Sequence, residues 1–325
     1  MIKRLISVCA GTYNEEDNIE FAWQRITAVM KDLDNYEYEI IFSDNDSKDN
    51  TRKLLRELCQ RDSHVKAIFN SRNFGPSRSG MNMITASNGD AVIVLPADMQ
   101  DPPELIPEFI KYWEEGYPLV LGQREGSANS RVDRGLRSIY YSIIDRFSDV
   151  PQKRQVSGFG LYDRSVINKL DEINDYNTDI RFQLADLGYR TKLIPYEQSK
   201  RKYGKSSYNW YRFFDFGLIS LLSTSRKPLR IMTMLGLVAS LVFFFIGVFY
   251  LIAKLIFWDN FIAGSAPILI GVFFIGSVQV LFLGMLGEYI GLIDARIRSR
   301  GHPYVVEDER INFNTEHDDA TDEVV

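Results

Sequence analysis

The sequence predicts an α/β fold, a mostly parallel sheet with helices on both faces, followed by a C-terminal pair of apolar helices. Short apolar runs alternate with helical stretches through roughly the first 200 residues, the pattern of strand–helix–strand units. Three of those runs end in acidic or amide side chains, as strands at a ligand-binding sheet edge do. Two long uncharged runs follow toward the C-terminus, each exceeding the ~20 residues that cross a bilayer core as a helix.

The first strand is Leu5-Ile6-Ser7-Val8-Cys9-Ala10, running into Gly11-Thr12-Tyr13-Asn14-Glu15-Glu16-Asp17-Asn18. The second, Tyr38 to Phe42, leads into Ser43-Asp44-Asn45-Asp46-Ser47-Lys48-Asp49-Asn50-Thr51 and a helix rich in Leu and Arg. Val65 to Phe69 is a third strand, followed by Arg72-Asn73-Phe74-Gly75. Ala91 to Leu95 is the fourth, its unbroken apolar character fitting a buried strand. Pro102-Pro103 then open a helix, since proline suits a first helical turn.

Asp98 and Gln100, within Leu95-Pro96-Ala97-Asp98-Met99-Gln100-Asp101-Pro102-Pro103-Glu104, fall just past the fourth strand. A carboxylate with a neighbouring amide oxygen there can hold a hard divalent cation against a diphosphate. An Asp that caps the following helix fits the segment alone equally well. The polar ends of strands one and two break the tie, because a parallel sheet puts all three at one edge. No Walker P-loop occurs and no Gly-x-Gly-x-x-Gly follows strand one, which argues against ordinary NTPase and dinucleotide sites.

A chain of 325 residues allows one large domain plus an appendage. Its net charge of −5 gives no basic footprint for nucleic acid. Cys9 and Cys59 are the only cysteines, too few for a disulfide framework or a zinc site, so both are expected to be reduced. The N-terminus enters a strand directly, without the h-region of a secretory signal.

Ile231 to Ala253 and Phe261 to Gly287 are the uncharged runs, joined by the short connector Lys254 to Asn260. Two buried core helices without a polar face are the poorer explanation. Arg226, Lys227 and Arg230 precede the pair and Arg296, Arg298 and Arg300 follow it. Basic flanks around a connector without basic excess put both ends in the cytoplasm. The expected organisation is a cytoplasmic domain over 1–206 and an aromatic-rich interfacial amphipathic segment over 207–228. Two transmembrane helices, about 231–254 and 261–290, lie within 229–300, and a flexible acidic tail covers 301–325. A multi-pass protein of the inner or plasma membrane follows. Gly-rich spacing in the second span leaves room for close helix contact, so a homo-oligomer is allowed.

Basic residues cluster after the fourth strand. One group is Gly122-Gln123-Arg124 with Arg131, Arg134 and Arg137; the other is Lys200-Arg201-Lys202-Tyr203-Gly204-Lys205. The planar fork of arginine suits phosphate, which favours a phosphate contact for Arg124 and Arg201. A solvated helix face or attraction to anionic lipid suits Arg134 and Arg137 better.

In this order, Tyr13-Asn14-Glu15, Asp44 to Thr51, Ala97 to Glu104, Gly122-Gln123-Arg124, Ser157 to Arg164 and Arg201-Tyr203-Gly204-Ser206 form a series. The series resembles the family-2 inverting glycosyltransferases of GT-A, Rossmann-like fold. With the apolar pair ending in Gly284-Met285-Leu286-Gly287-Glu288-Tyr289, it is similar to polyprenyl-phosphate glycosyltransferases. Within those it looks like the dolichol-phosphate-mannose-synthase and bactoprenol glucosyltransferase group, over nearly everything to about Arg300. The resemblance implies transfer of a sugar from a nucleotide diphosphate sugar, UDP-sugar favoured, to a polyprenyl phosphate such as undecaprenyl phosphate. It places Gly11, Tyr13 and Glu15 at the nucleoside, Asp44 and Asn45 near the base, and Asp98 and Gln100 at Mg²⁺ or Mn²⁺ and the diphosphate. It puts Arg124, Arg131, Arg201 and Lys205 at the acceptor phosphate, and Asp98, Arg124 and Arg201 at the chemistry. Pro96 stands where the family's first Asp is usual, Asp46 and Gly160 where Gly and Arg are usual, and Ser207 where Lys is common.

Two other readings stay open. One is a processive glycan synthase, against which stand the lack of further spans and of a Gln-x-x-Arg-Trp-type motif. The other is an inactive membrane scaffold of the same fold, motivated by Pro96.

Overall fold

The computed structural model describes residues 3–125, 156–173, 180–199 and 305–313 continuously, with isolated positions between 234 and 293. An eight-stranded sheet in the order β7-β5-β6-β4-β1-β2-β3-β8 organises them. Its strands are β1 Arg4–Thr12, β2 Tyr36–Asp44, β3 Val65–Asn70, β4 Ala91–Val94, β5 Leu119–Glu125, β6 Val156–Asp163, β7 Thr191–Glu197 and β8 Glu307–Ile311. The helices are α1 Ile19–Lys31, α2 Thr51–Arg61, α3 Pro76–Thr85, α4 Ile106–Glu114, α5 Arg164–Ile173 and α6 Ile180–Leu187. All four strands expected from the sequence form, and Pro103 opens a 3₁₀ turn that runs into α4.

β1 sits at the centre because it is buried on both faces. Val8 pairs in register with Ile40 of β2 on one side and Ile93 of β4 on the other, both parallel. Alternation along the strands then splits the core in two. Ile6, Val8, Ala10, Ile40 and Phe42 face α1, α2 and α4, where they meet Ile26, Leu55 and Phe109. Cys9, Ile41, Ile68 and Val92 face the other layer with Met81, Ile84, Val166 and Leu170 of α3 and α5. Among the described strands only β6 and β8 run antiparallel to their neighbours. β1 to β5 and β7 therefore deliver their carboxyl ends to one edge.

Residues 305–313 depart from expectation. Instead of starting a flexible acidic tail, Val305 is buried and β8 pairs with β3, Ile68 opposite Arg310 and Phe69 opposite Glu309. Composition suggested disorder because the segment has few apolar side chains. Its acidic groups are instead matched by partners: Arg56 forks onto Glu309 at 2.7 and 3.0 Å, and Arg52 reaches Asp308 at 3.1 Å. Asn312 donates to the carbonyls of Cys59 and Val65 at 2.8 and 2.7 Å. Among the described residues no helix is long and apolar enough to cross a membrane. The interfacial segment 207–228 and the spans 231–254 and 261–290 lie outside the continuously described residues, as does the remainder of the tail.

Both cysteines are buried and free. Burial pushes the Cys59 thiol up to about 12, with nearby Glu309 adding to it. Cys9 is raised further by burial and by Glu39. With the thiolate suppressed at ordinary pH, neither side chain is nucleophilic. The expected outcome with an aromatic disulfide reagent at pH 8 is no reaction in the native protein and two equivalents released in denaturant. Rapid native labelling would contradict the packing around β1 and α2.

Candidate functional site

At the carboxyl edge the loops after β1, β2 and β4 each contain a non-glycine residue at positive φ. Asn14, Asp46 and Met99 have φ of 54°, 65° and 52°. Such backbone is uncommon and costs energy, and it concentrates where function fixes geometry. It explains why Gly is usual where Asp46 stands here, since Asp is among the side chains that tolerate this region.

The loops after β1 and β2 are zipped together. Asn14 N–H donates to Ser47 Oγ at 2.8 Å and Lys48 N–H to Asn14 Oδ1 at 2.8 Å. Glu15 N–H donates to Thr51 Oγ1 at 2.9 Å, while the Glu15 carboxylate accepts from Asn18 at 2.6 Å. Gly11 and Tyr13 are exposed on this wall, and adding a Cβ at Gly11 would meet nothing within 4 Å. Asp44 lies behind it, wholly buried. Its Oδ2 accepts from Ser47 N at 3.1 Å and from Arg52 Nε at 2.9 Å. Its Oδ1 has no hydrogen-bond partner among the described residues. Asn45 is committed to the loop after β3: Oδ1 accepts from Phe74 N at 2.9 Å and Asn70 Nδ2 at 3.2 Å, and Nδ2 donates to Asn73 at 2.9 Å.

Asp98 stands in the turn after β4. Met99 N–H closes the turn on Pro96 O at 3.2 Å, and Gln100 N–H donates to Asp98 Oδ1 at 3.2 Å. Pro96 thus serves as a turn residue, with its carbonyl in use. Arg25 of α1 forks onto Glu104 at 2.5 and 2.7 Å, which ties the far end of the loop to α1. Among the described residues no three His, Cys, Asp or Glu side chains converge as a metal cluster. The donor set is one carboxylate with a neighbouring amide, hard oxygen ligands that fit a cation sharing its coordination with a diphosphate.

Sequence reasoning gave Asp101, Tyr196 and Gln198 no role, yet they organise this end of the site. Asp101 is wholly buried. It accepts from Tyr196 OH at 2.6 Å, from Arg124 Nη2 at 3.1 and 3.3 Å, and from Gln198 Nε2 at 3.3 Å. Arg124 Nε also donates to Tyr196 OH at 3.1 Å. Burial works against the Arg124 charge, but Asp101 and Tyr196 outweigh it and hold its pKa above the usual arginine value. Arg124 and Tyr196 are register partners on parallel β5 and β7, so the strands themselves bring the two side chains together. Gly122 allows this approach, because a Cβ there would meet the Tyr196 ring at 2.8 Å and Phe159 at 2.9 Å. Gly160 has an equally local reason, its Cβ falling 2.3 Å from Val120 O. The visible signal for Asp101 was its place in the Asp98 segment. Tyr196 offered only a strand-end aromatic with a polar tip. Arg131, Arg201 and Lys205 lie outside the described residues.

Polar loops gather at the carboxyl edge of this mostly parallel sheet, the edge at which α/β proteins bind ligands, and sequence comparison supplies the family. The glycosyl transferase family 2 profile matches residues 7–171, and the chain belongs to that family. It is a glycosyltransferase. Among its relatives is an uncharacterized glycosyltransferase of Synechocystis, sll0501, 32% identical over 91% of this chain and 92% of the relative. The bactoprenol glucosyl transferase of Shigella phage SfV is 31% identical over 94% of this chain and 99% of its own length. A prophage bactoprenol glucosyl transferase homolog of Escherichia coli is 30% identical over 88% of this chain and 93% of its own.

The hydrogen-bond geometry ranks two substitutions. Tyr196→Phe removes a single hydroxyl and is expected to cost about 1 kcal/mol. Asp101→Leu leaves a half-buried guanidinium without its countercharge and is expected to cost about 3–5 kcal/mol. Urea unfolding of the folded domain measures both. Equal midpoints for the two variants would show that Asp101 is not the centre of the network.

Proposed function

We propose that the protein transfers a sugar from a nucleotide diphosphate sugar, a UDP-sugar foremost, to the phosphate of a membrane polyprenyl phosphate such as undecaprenyl phosphate, with inversion. The names of the phage and prophage relatives support the acceptor class. One observation carries the reading furthest. The chain leaves the sheet at the carboxyl end of β7 and returns at β8, where Glu307 pairs with Asn70 at the carboxyl end of β3. Residues 200–304, which contain both apolar runs, are therefore tied to the ligand-bearing edge on both of its flanks. Met234, Val238, Leu241, Val242 and Phe245 are helical, apolar and exposed at spacings that share one helix face. Such a surface suits lipid. The basic flanks of the two runs keep the catalytic domain on the cytoplasmic side, where the donor is available.

The chemistry is a single displacement. A phosphate oxygen of the acceptor forms a bond to the sugar's anomeric carbon as the bond to the donor diphosphate breaks, which inverts that centre. The acceptor is already an anion near neutral pH, so the protein needs no strong base. Positioning and charge stabilisation carry the rate. Gly11, Tyr13 and Glu15 line the nucleoside wall, and Asp44 Oδ1 is an acceptor suited to a base N–H. Asp98, assisted by Gln100, holds a divalent cation, Mg²⁺ or Mn²⁺, which when bound supplies positive charge against the leaving diphosphate. Arg124, oriented by Asp101 and Tyr196, presents its Nη1 donors to the acceptor phosphate, joined by Arg131, Arg201 and Lys205.

Sugar transfer from a panel of UDP- and GDP-sugars to undecaprenyl phosphate tests the reading directly. Asp98→Asn is expected to lose at least about a hundredfold in kcat, as removal of a transition-state charge contact does, while folding and membrane insertion persist. Arg124→Ala should raise the acceptor KM more than the donor KM. Full activity in Asp98→Asn would remove the cation site. A parent protein inactive with every donor would favour the scaffold.

A further inference from the structure

Arg52, on α2, joins the end of β2 to the returning strand β8. Its Nε donates to Asp44 Oδ2 at 2.9 Å, and its Nη2 donates to Asn70 O at 2.8 Å and to Asp308 Oδ2 at 3.1 Å. Its guanidinium carbon lies 5.4 Å from the centroid of the Phe69 ring. Exposure falls inward along this row, from 49% for the Asp308 side chain through 22% for Arg52 to 0% for Asp44. β8 is fastened on either side of the relay. Arg56, on the next turn of α2, forks onto Glu309, and Asn82 of α3 donates to Glu307 at 2.5 Å.

The buried Asp44 carboxylate requires a countercharge and fixed donors. Arg52 supplies the countercharge and, with Ser47 N–H, the donors on Oδ2, which holds the carboxylate plane and leaves Oδ1 as the oxygen with no partner among the described residues. Arg52 in turn is a long side chain that keeps one rotamer only while its outer edge is held, and Asn70 and Asp308 hold it. We infer that Arg52 is a positioning residue for donor binding and that β8 is the strap that holds it. Nucleoside diphosphate affinity then depends on a strand more than two hundred residues away in sequence. The inference rests on the glycosyltransferase reading above, with Asp44 at the nucleoside. It also explains why a segment that follows the apolar runs returns to this edge of the sheet. The return holds the nucleotide end of the site, opposite the end where β7 departs.

The test is calorimetric titration of UDP and of GDP, with Mn²⁺ present, into the full-length protein in nanodiscs. Arg52→Ala is expected to weaken binding about tenfold, the effect of one lost charge-assisted contact. Arg52→Lys, which keeps the charge but not the fork, should weaken it about threefold. Asp308→Asn, a half-exposed change that should not disturb folding, should weaken it about two- to threefold. The KM for undecaprenyl phosphate should stay at the parental value in Asp308→Asn. A purely structural role would lower the thermal midpoint without moving nucleotide affinity. Parental affinity in both Arg52→Lys and Asp308→Asn would overturn the strap while leaving the glycosyltransferase reading in place. A parent that binds neither UDP nor GDP would overturn both.

Discussion

A carboxylate sealed from water has to be matched by donors or it destabilises the fold, and Asp101 meets that demand with Arg124 of β5, Tyr196 of β7 and Gln198 just past β7. Much of the site's geometry depends on this match. Asp101 follows the Asp98 turn directly, so anchoring it anchors the turn. Tyr196 can reach it only because Gly122 leaves room for the ring, which packs edge-on against Phe159 at 5.5 Å and through it against Phe109. Apolar packing thereby fixes a polar constellation. Ser199 N–H donating to Gln100 O at 3.0 Å closes the same seam from the backbone side. Arg124 is consequently a cation already paired. Its orientation is fixed by those bonds to Asp101 and Tyr196.

Parallel pairing sets the second constraint. Once β1 lies between β2 and β4, their loops converge without any long-range design, and the same edge must absorb three tight changes of direction. Left-handed backbone at Asn14, Asp46 and Met99 is the result. The side-chain ladder from Asn14 to Ser47 and from Glu15 to Thr51 fixes those conformations. Strain here is local and is stabilised by neighbours, as it is in sites that must be preorganised.

β1 to β4 were legible in the sequence because apolar runs of strand length are a direct record of burial on two faces. The placement of Asp98, Asp44 and Glu15 at the carboxyl edge was legible because each lies at or just past the end of such a run. Asp101 was not, since a buried charge and an exposed one look alike in a string of letters; the difference lies in Tyr196 and Arg124, far away in sequence. Asn45 shows the converse. Its position at a strand end is right, but its amide is spent on Asn70, Asn73 and Phe74, partners that only the fold supplies. Pro96 and Gly160 read as departures from a pattern, and each has a local reason in turn geometry or strand clearance.

Residues 305–313 carry the same lesson about charge into the sheet's edge. Without β8, β3 would present a row of unpaired backbone groups, the kind of edge that recruits foreign strands. An apolar edge strand would cover β3 and then expose its own hydrophobic margin to the next partner. An acidic one avoids that. Glu307, Asp308 and Glu309 face Asn82, Arg52 and Arg56, so the strand is held by charge and hydrogen bonds, while its outer margin stays hydrophilic. Low hydrophobicity, which counts against order in an isolated segment, is here what lets the segment be ordered safely at an edge. The basic residues of α2 are the other half of that arrangement, and they explain why a helix with so polar a face lies against the sheet beside the loop that follows β2.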